Sequence, residues 1–107
     1  MQEVYSDIFG KEYAEKVALK DDGKSILVCN FRVWLTPTEY AIVALLTERG
    51  DWLTKDEISA LISTDKVISS SSIAVHVANL NKKASRISGR RIVEGNREAK
   101  YRISPNA

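Results

Sequence analysis

With one cysteine and one histidine among its 107 residues, the sequence has few means for several common kinds of chemistry. Cys29 cannot close an internal disulfide by itself, and with no recognisable export signal it fits a reducing compartment. His76 lacks the second histidine or nearby cysteine that a zinc site requires, so no metal or other cofactor is expected. There is no P-loop, no glycine-rich dinucleotide fingerprint and no serine–histidine–aspartate set. The adjacent carboxylates Asp56 and Glu57 are accounted for by helix capping, and no enzyme activity is expected. No apolar run approaches the about 18 residues of a membrane helix, so no membrane contact is expected. The first residues, MQEVYSDIFGKEY, lack the basic start and apolar centre of a signal peptide, which points to a cytoplasmic location. Without repeats or low-complexity linkers, residues 1–107 read as a single domain.

Acidic residues are also missing from one long stretch. Between Lys66 and Val93 there are six basic residues and no Asp or Glu. The formal net charge of +2 hides this asymmetry: residues 1–50 hold 6 basic and 8 acidic groups (−2), and residues 51–107 hold 10 basic and 6 acidic groups (+4). A basic C-terminal half on a near-neutral chain is the charge pattern of a nucleic-acid face. A solvated basic surface without a partner would show the same charge.

Within this stretch lies SSSSIAVHVANLNKKASRISGRR, Ser69 to Arg91. Serines favour a helix start because a hydroxyl can accept from an orphan backbone N–H. Ile73, Val77, Leu80 and Ala84 fall at helical spacing and form one apolar stripe. His76, Asn79, Lys82, Lys83 and Arg86 lie away from it, and Gly89 marks the stop. The reading is a helix docked by one face, with a cationic polar face for an anion such as DNA.

Upstream, residues 1–15 have weak periodicity with room for one or two short strands. Val17 to Lys20 leads into the turn cluster Asp21-Asp22-Gly23-Lys24, followed by the β-branched and aliphatic runs Ser25–Cys29 and Phe31–Leu35. These predict an antiparallel sheet of about three or four strands within residues 1–35, with Cys29 as a small core residue. Thr36-Pro37-Thr38-Glu39 combines an N-cap, a proline at the first helical position and a capping box, opening a helix that runs to about Arg49 before Gly50. Its inner face is Ile42, Leu45 and Leu46. A brief extended piece at Trp52-Leu53 precedes a second capping box, Thr54 to Glu57, and a short helix with Ile58, Leu61 and Ile62 inward. After a loop at 63–69 comes the basic helix. Residues 90–104 then read as a β-hairpin turning at Gly95-Asn96, with Ile92 toward the core. Trp34 and Trp52 are expected to pack in the core or on strands. Three helices (36–88) followed by a hairpin wing make an α+β winged helix-turn-helix, whose third helix enters the major groove.

The residues also carry a family likeness. LTPTEYAIVALL, Leu35 to Leu46, resembles the LTPTEFxLLxLL segment of OmpR/PhoB-type winged-helix domains. SIAVHVANLNKKAS, Ser72 to Ser85, resembles their recognition-helix pattern, and Arg97 with Tyr101-Arg102-Ile103 resembles their wing. The resemblance spans roughly Val17 to Ile103. It implies a bacterial transcription regulator that binds double-stranded DNA sequence-specifically, as the effector domain of a two-component response regulator or a ToxR-like activator. It also implies a four-stranded N-terminal sheet, a third helix in the major groove and a wing on the adjacent minor groove. By motif position, Ser72, His76 and Asn79 face the groove, Lys82 and Lys83 lie near the backbone, and Arg97 is the wing arginine; Ser71 is a further candidate contact, and Arg86, Arg90 and Arg91 add to the salt-dependent attraction. The 63–69 loop matches a segment that contacts RNA polymerase, and binding as a dimer is implied.

The chain departs from the pattern at several points. Ser71, Ala78, Asn79 and Asn81 stand where arginines are usual, Glu98-Ala99-Lys100 replaces Gly-x-Gly, and Ser63 replaces a tryptophan. Asn79 retains the bidentate geometry that suits adenine, so an A/T-leaning site is expected. The arginine-poor helix also leaves a second reading open, a winged-helix module that binds protein through a reduced DNA-reading face.

Overall fold

The computed structural model describes residues 17–20, 22–63 and 67–104. The strands expected within residues 1–15 lie outside them. Strand β1 (Val17–Leu19) pairs antiparallel with β2 (Ser25–Val28), and β2 with β3 (Phe31–Trp34). Among the described residues this sheet therefore has three strands in the order β1-β2-β3. The turn before β2 is held by Asp22, whose Oδ1 accepts from the backbone N–H of Lys24 (2.8 Å) and Ser25 (3.0 Å). Those bonds hold its carboxyl below the usual carboxylate range. Gly23 supplies the positive φ of 66° at this turn.

Cys29 is not a core residue. It is exposed at the tip of the β2–β3 hairpin, where Val28 pairs with Phe31. Cys29 and Asn30 both have positive φ (51° and 71°), the signature of a two-residue type I′ turn. The apolar run Ile26-Leu27-Val28 continues to Cys29 in sequence, but the backbone turns one residue earlier.

Helix α1 (Pro37–Arg49) starts and stops as the local chemistry dictates. The Thr36 hydroxyl accepts from Glu39 N–H, Glu39 Oε1 accepts from Thr36 N–H, and Gly50 closes the helix at φ 70° with its N–H on Leu46 O. Ile42, Val43 and Leu46 are buried. The Tyr40 hydroxyl donates to Lys20 O (2.7 Å), tying α1 to the turn that leaves β1.

Strand β4 (Leu53–Thr54) runs directly into α2 (Lys55–Ile62), capped by the reciprocal Thr54–Glu57 box. The same bonds from Thr54 hold the Glu57 carboxyl below its ordinary range. Ile58 is buried and Ile62, one turn on, packs against the core, while Leu61 is 47% exposed rather than inward.

Helix α3 (Ser70–Ser88) buries Ile73, Val77, Leu80 and Ala84, the stripe expected from spacing, and ends at Gly89 in the left-handed region (φ 80°). The serine run does not cap it through a side chain. Ser69 occupies the N-cap position without a side-chain bond to the helix backbone; its Oγ is hydrogen-bonded instead to Ser71 Oγ (3.2 Å).

The wing is β5 (Val93–Gly95) and β6 (Lys100–Ile103). It is more than a hairpin: β4 also pairs with β6, giving a second three-stranded sheet in the order β4-β6-β5. The turn lies beyond the expected Gly95-Asn96 pair. Gly95 is a strand residue opposite Tyr101, and Arg97, Glu98 and Ala99 form the loop. Asn96 N–H donates to Lys100 O, Ala99 N–H donates to Asn96 O, and Asn96 Oδ1 accepts from Glu98 and Lys100 N–H. Asn96 thus turns the chain with its side chain, leaving Ala99 in the left-handed position at φ 59°.

Among the described residues, the core lies where the two sheets and three helices meet, around Val33, Ile42, Leu46, Ile58, Leu80 and Ile92. Burying each large aliphatic side chain there contributes about 1.5–3 kcal/mol.

Candidate nucleic-acid interface

Helix α3 docks through one stripe, so its opposite side defines the candidate interface. Ser71, Ala74, Val75, Ala78, Asn79, Lys82 and Arg86 are exposed along it. At about 100° per residue, Val75, Ala78, Lys82 and Arg86 lie on the side opposite Leu80. Ser72 and His76 are half-buried on one flank. Ser72 is occupied locally, its hydroxyl donating to Ser69 O (2.8 Å).

Val75, 58% exposed at the centre of this face, was missed in the sequence. It lies between Ile73 and Val77 in sequence but outside the stripe they form with Leu80 and Ala84. The signal that could have found it is its angular offset from Ile73, Val77 and Leu80.

The sequence-predicted cations divide into two groups. Lys82, Arg86, Arg91 and Arg97 are exposed, and Arg90 is exposed beside them at the turn after α3. Arg97 lies at the tip of the wing loop. Lys83 is placed differently: its Nζ donates to Glu39 Oε1 at 2.6 Å, and Glu39 is only 2% exposed. Its charge is engaged by a buried carboxylate on α1, which joins the two helices. Two other wing cations are also engaged. Arg102 pairs with Glu94 (2.7 Å) and stacks over Trp52 at 4.4 Å, and Lys100 lies 3.6 Å from Glu98.

Trp52 therefore packs on the wing sheet. Trp34 does not join a core: it is 59% exposed on the N-terminal sheet, with Arg32 over its ring at 5.1 Å.

The loop before α3 is held by two serines. Ser59 Oγ donates to Ile68 O, and Ser63 Oγ donates to Ser59 O (2.6 Å) and accepts from Ile68 N–H (3.0 Å). Val67 is 93% exposed, while residues 64–66 of the 63–69 loop lie outside the described residues. Among the described residues, no group of three or more His, Cys, Asp or Glu side chains is placed to hold a metal ion, and no helix is long and apolar enough to cross a membrane.

No protein-family model matches the chain, and no curated protein matches it. Solved structures do. The DNA-binding domain of the response regulator AdeR, solved in complex with an intercistronic region, is 22% identical with a TM-score of 0.69, covering 84% of this chain and 94% of that one. The C-terminal domain of the nisin resistance regulator NsrR, a lantibiotic response regulator, is 21% identical with a TM-score of 0.68, covering 83% of this chain and 92% of that one. The DNA-binding domain of E. coli CadC is 11% identical with a TM-score of 0.69, covering 83% and 86%. The chain shares the winged-helix fold of these solved domains.

Proposed function

We propose that this domain binds double-stranded DNA sequence-specifically in transcription regulation, with α3 in the major groove and the wing tip on the adjacent minor groove. The observation that carries this reading is the outward face of α3. It pairs a central patch of small and apolar groups (Ser71, Val75, Ala78) and Asn79 with Lys82 and Arg86, without an acidic residue. Asn79 offers the donor and acceptor that match adenine N7 and N6, and Val75 and Ala78 offer contacts for thymine methyl groups. The preferred site is therefore A/T-leaning, in keeping with the absence of arginine from this face before Arg86. Lys82, Arg86, Arg90, Arg91 and Arg97 supply the sequence-independent attraction to phosphates. One such helix reads half a site, so two copies bind a full operator. The 63–69 loop, with Val67 exposed, is the place for an RNA polymerase contact.

Titration of the domain against random-sequence duplex by fluorescence anisotropy tests the proposal. With about four to five phosphates neutralised, log K against log salt has a slope of roughly −4. A slope near zero would refute it. A second reading, a protein-interaction module, is favoured by the exposure of Val75 and Leu61. Lys82→Glu separates the two: it abolishes duplex binding under the first and leaves partner binding intact under the second.

A further inference from the structure

Asn81 stands where an arginine would be usual, but it does not face outward with Lys82. Its Nδ2 donates to Val93 O at 2.9 Å, and its Oδ1 accepts from the backbone N–H of Ile92 and of Val93, both at 3.0 Å. A single side chain thereby satisfies three backbone groups where the chain enters β5. Ile92 is fully buried and Val93 nearly so, which makes unsatisfied backbone groups there costly. The amide orientation is unambiguous, because only the oxygen can accept from two N–H groups while the nitrogen donates to a carbonyl. The following strand is fastened on its other side by Ser104 N–H on Ile92 O (2.8 Å).

Asn81 lies two residues after Asn79 and next to Lys82, on the turn of α3 that carries these outward groups. We infer that Asn81 is a positioning residue that fixes the angle between α3 and the wing, so that the reading face and Arg97 meet a duplex as one rigid unit. The inference rests on the DNA-binding reading for its consequence and on the three bonds for its mechanism. A wing free to swing would have to be ordered on binding, and the ordering cost would cancel much of what Arg97 contributes. Asparagine suits the task because its short side chain presents an acceptor and a donor together, matching the N–H and C=O groups of a strand entry.

Two measurements on the full chain test this. In a Cys29→Ser background, nitroxide labels at Arg86→Cys and Glu98→Cys report the distance between α3 and the wing tip by pulsed electron spin resonance. The distribution is narrow with Asn81 and broad with Asn81→Ala. Asn81→Ser, whose hydroxyl falls short of the strand entry, serves as a second loss variant should the alanine variant not fold. In the unlabelled protein, Arg97→Ala lowers duplex affinity about fivefold when Asn81 is present and less than twofold in the Asn81→Ala or Asn81→Ser background, a non-additivity that a purely global loss of stability would not produce. An unchanged distance distribution, or an equal cost of Arg97→Ala in both backgrounds, would overturn the inference. If the unaltered chain binds no duplex, the DNA reading falls, and the label distances still decide whether Asn81 sets the wing angle.

Discussion

Replacing Lys83 with methionine tests whether this lysine is a latch between helices or a DNA contact. Methionine keeps most of the aliphatic stem and removes the charge. Glu39 then remains 2% exposed with its Oε1 receiving only the Thr36 N–H bond at 2.9 Å. Removing one member of a fully buried ion pair costs about 3–5 kcal/mol, whereas an exposed pair contributes about 0–1 kcal/mol. Here one partner is buried and the other side chain is 39% exposed, which sets the expected cost at about 2 kcal/mol. For a domain of this size that is a fall in Tm of about 8 °C or more. Glu39→Gln removes the charge but keeps an oxygen for the cap, and costs about 1 kcal/mol. The double variant is less destabilised than the sum of the two by at least about 1 kcal/mol, because Lys83→Met no longer strands a charge. Thermal denaturation followed by circular dichroism measures all three. Strict additivity, or a Lys83→Met variant within about 2 °C of the parent, would refute the latch and return Lys83 to the phosphate-contacting set.

Further outcomes follow from the turns and caps. Ala99→Gly relieves a left-handed backbone at φ 59° and raises stability by about 0.5–1 kcal/mol, read as a higher Tm, whereas Ala99→Val lowers it. The carboxyls of Asp22 and Glu57 are held low mainly by backbone bonds, to Lys24 and Thr54 respectively. Their contribution is complete above the ordinary carboxylate range and is lost as pH falls through it, so the Tm of the Asp22→Asn, Glu57→Gln double variant falls less between pH 6 and about 3 than that of the parent. Cys29, exposed at a hairpin tip, reacts stoichiometrically with an aromatic disulfide reagent without denaturant, and protection of the thiol would contradict the turn. Leu80→Ala, at a fully buried site on α3, costs about 2–5 kcal/mol by urea denaturation.

Much of this architecture was legible because local chemistry and tertiary packing agree. Both capping boxes, the glycine stops at Gly50 and Gly89, and the buried stripe of α3 depend on residues close in sequence, and each forms as its spacing requires. What escaped detection depends on partners far along the chain. Lys83 meets Glu39 across 44 residues, and nothing in either local stretch marks the pair. Asn81 reads as a surface asparagine until β5 is brought beside it. Cys29 and the wing loop failed for another reason: the chain places left-handed backbone at Cys29 and Ala99, residue types that rarely adopt it, as well as at Asn30. The proposed DNA-facing set is partly a matter of angle. Val75 was hidden by its apolar character, and Ser72 and His76 lie on the flank rather than at the centre.

The strand order β4-β6-β5 makes the wing a structural support for the helices as well as an extension from them. Leu53 and Thr54 lie opposite Tyr101 and Lys100, and Thr54 is also the cap of α2. A truncation before Lys100 would strip the partner from β4, loosen the residue that starts α2 and unsettle the scaffold beneath α3. Such a shortened chain would report on folding instead of on the proposed minor-groove contact, so that contact is measurable only by side-chain changes at the wing tip.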